Sequence, residues 1–264
     1  MGSLRFKRTS RLSDAELEAL VTGVAGVLEQ GWAAATGRPR ALSLTEAVEA
    51  TVIYLRRNLP EEVIGDMYGV SQATVSRAVT ALTGPIATAT AGRAPTLEEA
   101  KEYVKGAIVL VDGSLAPVWS WTGHSELRSG KHRTTGFNVQ VVTDAVGEVL
   151  YVAKPIEGCA HDMRALDESG VKDLLATAGT VIADKGYIGA GYLTPRRKPQ
   201  NAELNTADLA FNEEVGRLRA PVERAIANLK VWRVLHTDYR RPLKTFLETF
   251  QAVIGLYFLQ RTSA

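Results

Sequence analysis

Cysteine is almost absent from this sequence: Cys159 is the only one in 264 residues. One cysteine cannot build an intrachain disulfide framework, and such sparing use fits a reducing cytoplasm. No CxxC pair occurs and the four histidines are scattered, so we do not expect a structural zinc site. No apolar run is long enough to span a bilayer, and the basic N-terminus, Met1–Arg8, lacks the apolar core of a signal peptide. We therefore expect a cytoplasmic protein without membrane association.

An excess of charge of one sign is also missing. The 31 Lys and Arg residues nearly balance the 29 Asp and Glu residues, which gives a formal net charge of +2. Any nucleic-acid-binding surface must therefore be local. Hydrophobic residues make up 45% of the chain and charged residues 23%, as in ordinary globular proteins. A chain of 264 residues is long enough for one large domain or two modest ones.

The first third of the chain has the pattern of helices. Ser13 can cap a first amphipathic helix, and after a break at 31–40 a second helix follows Ser43 or Thr45. The small and polar stretch 87–95 predicts a linker or an extended connection, and we place a domain boundary near it. The predicted domains are a helical N-terminal domain, 1–94, and a second domain, 95–264.

A helix-turn-helix is indicated over about 59–82. A short helix, Glu61 to Tyr68, ends at Gly69, which suits a left-handed turn, and Ser71 can cap the next helix. An ordinary helical hairpin would share part of this pattern, but the polar set on the second helix favours DNA recognition. Side chains that this helix would direct towards base edges and phosphates in a major groove are Gln72, Thr74, Ser76 and Arg77.

Beyond residue 107 the pattern changes to strands. The apolar run 107–111 predicts a strand buried on both faces, and 137–143 with 149–153 predicts a hairpin joined by a turn at 144–147. Together these elements predict a mixed sheet with helices packed on it. Further predicted strands are 181–183 and a short one at 191–194, and the predicted helices are 161–175, 212–232 and 244–260.

Three carboxylates occupy positions that suit metal ligands. Asp112 closes the apolar run that begins at Ala107, Asp184 closes a second run, and Glu223 lies in a helical stretch rich in Arg and Lys. Phosphoryl transfer by two metal ions needs hard oxygen ligands on rigid elements, which hold the cations about 3.5–4 Å apart. Either aspartate alone would more often mark a turn after a strand. Together with Glu223, the three acids favour the metal site.

The order of these motifs resembles the DDE transposases of bacterial insertion sequences, in the branch that also contains the eukaryotic Harbinger elements. The resemblance runs from the helix-turn-helix to the C-terminus. The segments that carry it are Val111-Asp112-Gly113-Ser114, Gly158-Cys159-Ala160-His161-Asp162, Ala183-Asp184-Lys185-Gly186-Tyr187 and Arg219-Ala220-Pro221-Val222-Glu223, followed by Lys230. One position departs from the pattern: Gly216 stands where many relatives carry a tyrosine three residues before the arginine.

The resemblance implies a fold, a reaction and a set of partners. The fold would be a ribonuclease H-like mixed-sheet catalytic core preceded by an all-α helix-turn-helix domain, which is an α/β (α+β) protein. Asp112, Asp184 and Glu223 would be the catalytic residues and would ligate two Mg²⁺ or Mn²⁺ ions. The reaction would be cleavage at the terminal inverted repeats of the element, which exposes a 3′-hydroxyl, followed by strand transfer. The partners would be double-stranded DNA, at transposon ends and target, and further copies of the chain in a homo-oligomer on nucleoid DNA.

Weaker assignments concern residues around these motifs. Arg219 and Lys230 share the helical face of Glu223 and could hold DNA phosphates, although a solvated, salt-bridged face is an equal alternative. His161 and Asp162 could lie beside the site or could cap the helix that follows. Basic clusters at 131–133 and 196–198 could contact the DNA backbone. The tryptophans that could stack on a base, but more often belong to a core, are Trp119, Trp121 and Trp232.

Two other function classes share parts of the pattern. A haloacid dehalogenase-like phosphatase also places an Asp after an apolar strand, but it needs a second Asp two residues later, where this chain has Ser114. A DNA-binding regulator derived from a transposase would keep the helix-turn-helix and lack activity. The presence of all three carboxylates disfavours that alternative, and a cleavage assay separates the two.

Overall fold

The computed structural model describes residues 6–32, 39–119 and 123–262. The chain forms two compact units, one made of Met1–Ala94 with Val231–Ala264 and the other of Pro95–Lys230. The break after residue 94 coincides with the predicted boundary. The sequence-based division extended the second domain to residue 264, whereas the structure groups 231–264 with the helical unit. The assignment of DNA binding and catalysis to separate domains stays a prediction.

Helices dominate the first unit, and the second combines helices with a sheet. In chain order the helices are α1 (Lys7–Ser10), α2 (Asp14–Val27), α3 (Leu44–Arg57), α4 (Glu61–Tyr68), α5 (Gln72–Thr90), α6 (Leu97–Val104), α7 (Asp162–Glu168), α8 (Val171–Leu175), α9 (Thr206–Leu229) and α10 (Phe246–Thr262). The strands are β1 (Ile108–Pro117), β2 (Arg128–Ser129), β3 (Thr134–Asp144), β4 (Val149–Val152), β5 (Ile156–Glu157) and β6 (Thr180–Ala183). This content confirms the predicted α/β fold class with helices at the N-terminus.

Serine caps begin the helices of the first unit as the sequence predicts. The hydroxyl of Ser13 accepts from the backbone N–H of Glu16, and the Glu16 carboxylate accepts from the backbone N–H of Ser13. Ser43, rather than Thr45, does the same at the start of α3 with Glu46. Each reciprocal pair satisfies two backbone donors that a helix start leaves open, which fixes where the helix begins.

The predicted linker at 87–95 is wrong over its first half. Helix α5 continues through Thr90, and a single 3-10 turn covers Ala91–Arg93 before α6. The small residues of this stretch serve close helix packing: a β-carbon added to Gly255 of α10 would lie 2.5 Å from the Cβ of Thr90. One added to Gly23 of α2 would lie 3.3 Å from the Cβ of Ala89. The low side-chain volume therefore marks a buried contact surface instead of a loop.

The helix-turn-helix has the predicted geometry. Gly69 adopts φ +67° at the end of α4, and Ser71 caps α5 by accepting from the backbone N–H of Thr74. The backbone N–H of Val70 donates to Gly65 O at 2.9 Å, and a β-carbon on Gly65 would lie 2.6 Å from Val70 O. Gly65 is therefore a second glycine on which this tight turn depends. The inward residues of α5 are fully buried: Val75, Val79 and Leu82.

The sheet of the second unit is mixed, as predicted. Its order is β2-β3-β1-β6, with β4 and β5 also paired to β3; β1 runs antiparallel to β3 and parallel to β6. The hairpin β3–β4 is confirmed, and Asp144 Oδ1 closes its turn by accepting from the backbone N–H groups of Val146, Gly147 and Glu148. This arrangement makes β1 a central strand with partners on both sides.

Alternation along β1 decides which side chains face which helices. Val109 and Val111 pack in one hydrophobic cluster with residues of α6, α7 and α8. Leu110 packs in the other cluster, against Val215 and Val222 of α9. Because side chains of a strand point alternately to opposite faces, the residue two after Leu110 also points towards α9. The side chain of Asp112 therefore lies on the face of the sheet that packs against α9.

Several predicted elements differ in their bounds. The helix predicted at 161–175 is two helices, α7 and α8, because Gly170 takes φ +75° between them. The short strand predicted at 191–194 is reduced to an isolated parallel bridge between Ile182 and Leu193. Helix α9 begins at Thr206, six residues before the predicted 212, because Asn205 caps it by accepting from the backbone N–H of Asp208.

Candidate functional site: a carboxylate cluster around Arg219

Asp112 lies inside a strand, which corrects the prediction that it ends one. The strand β1 continues for five residues beyond it, to Pro117, and Asp112 pairs with Val141 of β3. Its side chain is half-buried and shares the face of Leu110, towards α9. The alternative that this aspartate marks a turn is excluded, because its backbone belongs to the sheet.

Asp184 comes next to Asp112 through the strand register. Strand β6 ends at Ala183, which pairs in parallel with Val111, so that Asp184 and Asp112 are the following residues on neighbouring strands. Asp184 is the N-cap of a 3-10 turn, Lys185–Tyr187, and its Oδ1 accepts from the Lys185 backbone N–H at 2.6 Å. Asp184 therefore begins a turn and also belongs to the candidate site.

The guanidinium of Arg219 joins all three predicted carboxylates. Its Nη2 donates to Asp112 Oδ2 at 2.9 Å, and its Nη1 lies 3.8 Å from Asp184 Oδ1 and 3.6 Å from Glu223 Oε1. Arg219 precedes Glu223 by one helical turn of α9, so the two share one face of the helix. The structure therefore brings Asp112, Asp184 and Glu223 around one cation, although Glu223 remains exposed.

Arg219 is buried beside the carboxylates, and its expected role as a DNA-phosphate contact stays a prediction. The residue is only 9% exposed, and its charge is directed at the carboxylates rather than at solvent. Lys230, the other expected contact on this helix, is half-buried at the C-cap of α9. Burial lowers the pKa of Lys230, and the negative charge of Asp112 opposes that shift. The role of Lys230 as a DNA-phosphate contact stays a prediction.

A second cation, Lys131, lies at the other side of Asp184. Its Nζ is 3.0 Å from Asp162 Oδ2 and 3.8 Å from Asp184 Oδ2. Partial burial acts to lower the pKa of Lys131, but the hydrogen bond and charge of Asp162, with Asp184 and Asp112, raise it overall. Lys131 therefore remains a positive charge beside the carboxylates. In the sequence it is one of three basic residues of a loop cluster, and nothing there indicates its contact with Asp162.

His161 caps a helix, whereas Asp162 reaches the candidate site. His161 caps α7, since its Nδ1 accepts from the backbone N–H of Arg164 at 3.3 Å, which is the capping alternative. Asp162 is 7% exposed, and β-carbons added to Gly113 and Gly186 would each come within 3.0 Å of its side chain. The two glycines therefore create the space in which the Asp162 carboxylate reaches the site.

A polar network under the cluster was missed by sequence reasoning. The Tyr187 hydroxyl donates to Gln140 Oε1 at 2.5 Å, and Gln140 Nε2 donates to Asn138 Oδ1 at 2.9 Å. Gln140 is fully buried and Tyr187 as well. Burial raises the pKa of Tyr187 well above its ordinary value, with the charges of Asp162 and Asp112 adding to it. The signal available in the sequence was a pair of amides, Asn138 and Gln140, inside an apolar strand.

Burial raises the pKa of Asp112 to about 6, from an ordinary value of 3.8. The Arg219 charge and the Gly113 backbone N–H oppose that shift, whereas the Asp184 charge adds to it. The folded protein without metal therefore keeps a proton on Asp112 up to a higher pH than the unfolded chain does. The stability that this proton contributes is complete below pH 3.8 and is lost as pH rises through about 6.

We expect Asp112→Asn to stabilise the metal-free protein more at pH 8 than at pH 5, because asparagine never acquires the buried charge. The difference in unfolding free energy between variant and wild type should grow by about 1 kcal/mol over that interval. Urea unfolding in EDTA at both pH values measures it. Asp173→Asn, on exposed α8 surface, is the control and should show no such growth. A difference that stays constant or shrinks with pH would contradict the burial of this charge.

The residues predicted to read DNA lie at the start of α5. Gln72 and Arg77 are exposed, and Thr74 and Ser76 are half-buried. Gln72 Nε2 donates to Glu61 Oε2 at 2.5 Å, and Glu61 also pairs with Arg241. Of the three tryptophans considered for base stacking, Trp232 is fully buried, Trp119 is exposed, and Trp121 lies outside the described residues.

The residues of the cluster fit a divalent cation. Three carboxylates offer hard oxygen ligands, which Mg²⁺ and Mn²⁺ prefer. The Nε of Arg219 is buried and has no hydrogen-bond partner among the described residues, so the guanidinium is not a fully satisfied occupant of the space. Within the described ranges no three His, Cys, Asp or Glu side chains already stand close enough to share a metal ion. Instead, the Arg219 guanidinium lies beside an oxygen of each of the three carboxylates.

Comparison with known protein families shows to which family the chain belongs. Residues 111–257 match the family described as DDE superfamily endonuclease, and residues 40–88 match the helix-turn-helix of DDE superfamily endonuclease. This chain belongs to the DDE superfamily endonucleases. The endonuclease thus combines a catalytic segment that includes all three carboxylates with a helix-turn-helix, and its enzyme class is that of DNA transposases and endonucleases. Members of this family use divalent metal ions.

Two curated relatives of the endonuclease are named as transposases. One, for insertion sequence element IS112 of Streptomyces albus G, is 32% identical over 75% of this chain and 73% of its own length. The other, for IS702 of Microchaete diplosiphon, is 28% identical over 84% of this chain and 82% of its own. A solved piggyBac transposase synaptic complex with hairpin DNA aligns with a TM-score of 0.47 at 11% identity, over 96% of this chain and 72% of that one. None of the described helices is long and apolar enough to span a bilayer.

Proposed function

We propose that this endonuclease is the transposase of an insertion sequence, which binds the terminal inverted repeats of its element, cleaves the DNA at the element ends and carries out strand transfer. The observation that supports this most is the convergence of Asp112, Asp184 and Glu223 on one guanidinium. A central strand, the turn directly after its neighbouring strand and one helix supply these carboxylates. A fixed arrangement of this kind suits the positioning that phosphoryl transfer requires.

The proposed catalytic residues are Asp112, Asp184 and Glu223, which would hold two Mg²⁺ or Mn²⁺ ions. Ions bound there would supply activation of the attacking oxygen and stabilisation of the leaving oxygen. The strand register fixes the spacing of the two aspartates, and α9 brings the glutamate to them. Glu223 is the most exposed of the three, so its side chain can still move as ligands bind.

Lys131 is the proposed phosphate contact of the site. It is half-exposed, carries its charge beside Asp184, and is oriented by the hydrogen bond to buried Asp162. A cation held in this way can attract a DNA phosphate next to the carboxylates without itself ligating metal. Asp162 therefore acts as a positioning residue for Lys131 in this proposal.

Recognition of the element ends is assigned to the helix-turn-helix. The proposed contacts with bases and phosphates are Gln72, Thr74, Ser76 and Arg77, at the start of α5, with Lys230 as a phosphate contact near the catalytic cluster. Because two element ends must be handled, we also propose a homo-oligomer assembled on double-stranded DNA. The protein would act in the bacterial cytoplasm, on nucleoid DNA.

We expect Arg77→Ala to weaken binding to an end duplex by about ten-fold at moderate salt, because one exposed cation at the start of α5 is lost. Fluorescence anisotropy with a labelled end duplex measures the dissociation constant. Arg93→Ala removes an equal charge from the exposed 3-10 turn after α5 and should change affinity far less. Equal losses for both variants would remove α5 from the recognition role.

A cleavage assay tests the proposed function. The protein is incubated with Mg²⁺ and a duplex that carries the inverted repeat flanking its own gene, and a scrambled duplex serves as the control. Strand cleavage at the repeat boundary is the expected result. Retarded migration without cleavage, under conditions where the duplex is saturated, would instead favour a DNA-binding regulator.

A further inference from the structure

We propose that Arg219 is a tethered cation that occupies the metal position in the metal-free endonuclease and must withdraw before divalent ions can bind. This inference rests on the proposed metal-binding role of Asp112, Asp184 and Glu223. It assigns to Arg219 a competition with metal, in addition to any contact it makes with DNA. The consequence is that metal affinity is lowered by a residue of the protein itself.

The geometry is that of a cation with three anionic ligands. The Nη atoms of Arg219 lie 2.9, 3.8 and 3.6 Å from oxygens of Asp112, Asp184 and Glu223, so one guanidinium faces three carboxylates. Its single positive charge cannot balance three negative ones. Two divalent ions would supply four positive charges to the same group of ligands.

In its buried position, Arg219 has partners for its Nη atoms but, within the described part of the chain, none for its Nε. The side chain is 11% exposed, and its Nε is buried without a hydrogen-bond partner among the described residues. A buried unsatisfied donor is costly, and that cost disappears when the side chain swings to solvent. The ion pairs with the carboxylates favour the buried position, and a metal that takes over the carboxylate oxygens removes those pairs. Metal binding thus favours withdrawal of Arg219 in two ways: the Nη atoms lose their carboxylate partners, and the Nε–H gains water as a partner.

Helix α9 prevents Arg219 from leaving altogether. The residue is one turn from Glu223 on a helix of 24 residues, so its backbone stays in place while the long side chain rotates. Its local concentration at the carboxylates is therefore constant, unlike that of a free ion. An internal competitor of this kind keeps the three carboxylates together in the absence of metal, and a high metal concentration displaces it.

Manganese binding by variants of Arg219 tests the proposal directly. Free Mn²⁺ is quantified by its electron paramagnetic resonance signal during titration of the full-length protein. Arg219→Gln should bind Mn²⁺ about ten-fold more tightly than wild type, because the competing charge is gone. Arg219→Lys, which keeps a positive charge, should stay closer to wild type. Arg217→Gln is the matched control, since Arg217 lies on the same helix, is exposed and pairs with Glu213 and Glu214.

Three outcomes separate the possibilities. Tighter binding by Arg219→Gln alone supports the tethered cation. Binding equal to that of Arg217→Gln, or weaker than that of wild type, overturns it. Asp112→Asn should lose Mn²⁺ affinity whatever Arg219 does, and Mn²⁺ affinity unchanged in this variant would overturn the proposed metal site itself, together with the inference built on it.

A measurement on the wild-type protein covers the case in which Arg219→Gln does not fold. In protein labelled with ¹⁵N at arginine, the Nε–H signal of Arg219 is assigned by its absence in Arg219→Lys. Addition of Mg²⁺ should move this signal and speed its exchange with water, because the buried Nε becomes solvated. An unmoved signal at a Mg²⁺ concentration that saturates the protein would overturn the proposal.

Discussion

Asp112→Asn is expected to slow cleavage of an end duplex by about a thousand-fold or more, because a charged ligand is lost from the centre of the proposed metal site. Asp112 is the natural choice, since its backbone pairs with Val141 of β3 and its Oδ1 accepts from the Gly113 backbone N–H, which fixes the position of its carboxylate. Product formation at saturating duplex and Mg²⁺ gives the rate. Asp173→Asn, an exposed change of the same chemistry on α8, should cleave as wild type does.

Loss of cleavage in Asp112→Asn will not reflect unfolding. The raised pKa of Asp112 means that its charge destabilises the metal-free protein at neutral pH, so a neutral asparagine should preserve or increase stability. Inactive protein with a melting temperature at least equal to that of wild type is therefore the expected combination. An inactive variant that is also strongly destabilised, or a variant that still cleaves, would contradict the role of Asp112.

Gly186→Ala is expected to slow cleavage by about a hundred-fold without touching any carboxylate chemically. An added β-carbon would lie 2.8 Å from Cγ and 3.0 Å from Cβ of Asp162, and it would overlap the Asp162 Oδ2 atom. Either the turn that begins at Asp184 or the Asp162 side chain with Lys131 must shift. Displacements of about 1 Å at a catalytic centre can cost this much in rate.

Gly216→Ala is the matched control for that experiment. Gly216 lies within α9, where an added β-carbon meets open space. Replacing a helical glycine with alanine should raise stability by up to about 1 kcal/mol and leave cleavage unchanged. If Gly186→Ala cleaves as fast as Gly216→Ala, the close approach of Gly186 to Asp162 has no part in catalysis. Arrested cleavage in both variants would point instead to a general sensitivity of this unit to added volume.

Sequence patterns predicted the elements of the site well where local chemistry determines structure. The helix-turn-helix could be predicted because Gly69 and Ser71 each have a local task, a left-handed turn and a helix cap. The apolar runs before Asp112 and Asp184 predicted buried strands for the same reason. They did not reveal that β1 continues past Asp112, because Gly113 and Ser114 have low strand propensity and their pairing depends on β3.

Features that depend on contacts between distant residues could not be predicted. The small residues at 87–90 have the composition of a linker, and only their packing against α2 and α10 keeps them helical. The apolar helix α10 was assigned to the catalytic domain by position, whereas the structure groups it with the helical unit. The helical spacing predicted that Arg219 and Glu223 share one face of a helix. The burial of Arg219 against Asp112 is a long-range contact that no local pattern contains.

Mapping the DNA ends left by cleavage is the sharpest test of metal-dependent hydrolysis at the three carboxylates. Metal-dependent attack by water at the phosphates of an element end, carried out by Asp112, Asp184 and Glu223, should leave a 3′-hydroxyl that a DNA polymerase can extend. We expect extendable ends in Mg²⁺, none in EDTA, and none with Asp112→Asn. Ends that carry a 3′-phosphate, or cleavage that persists in EDTA, would contradict the account.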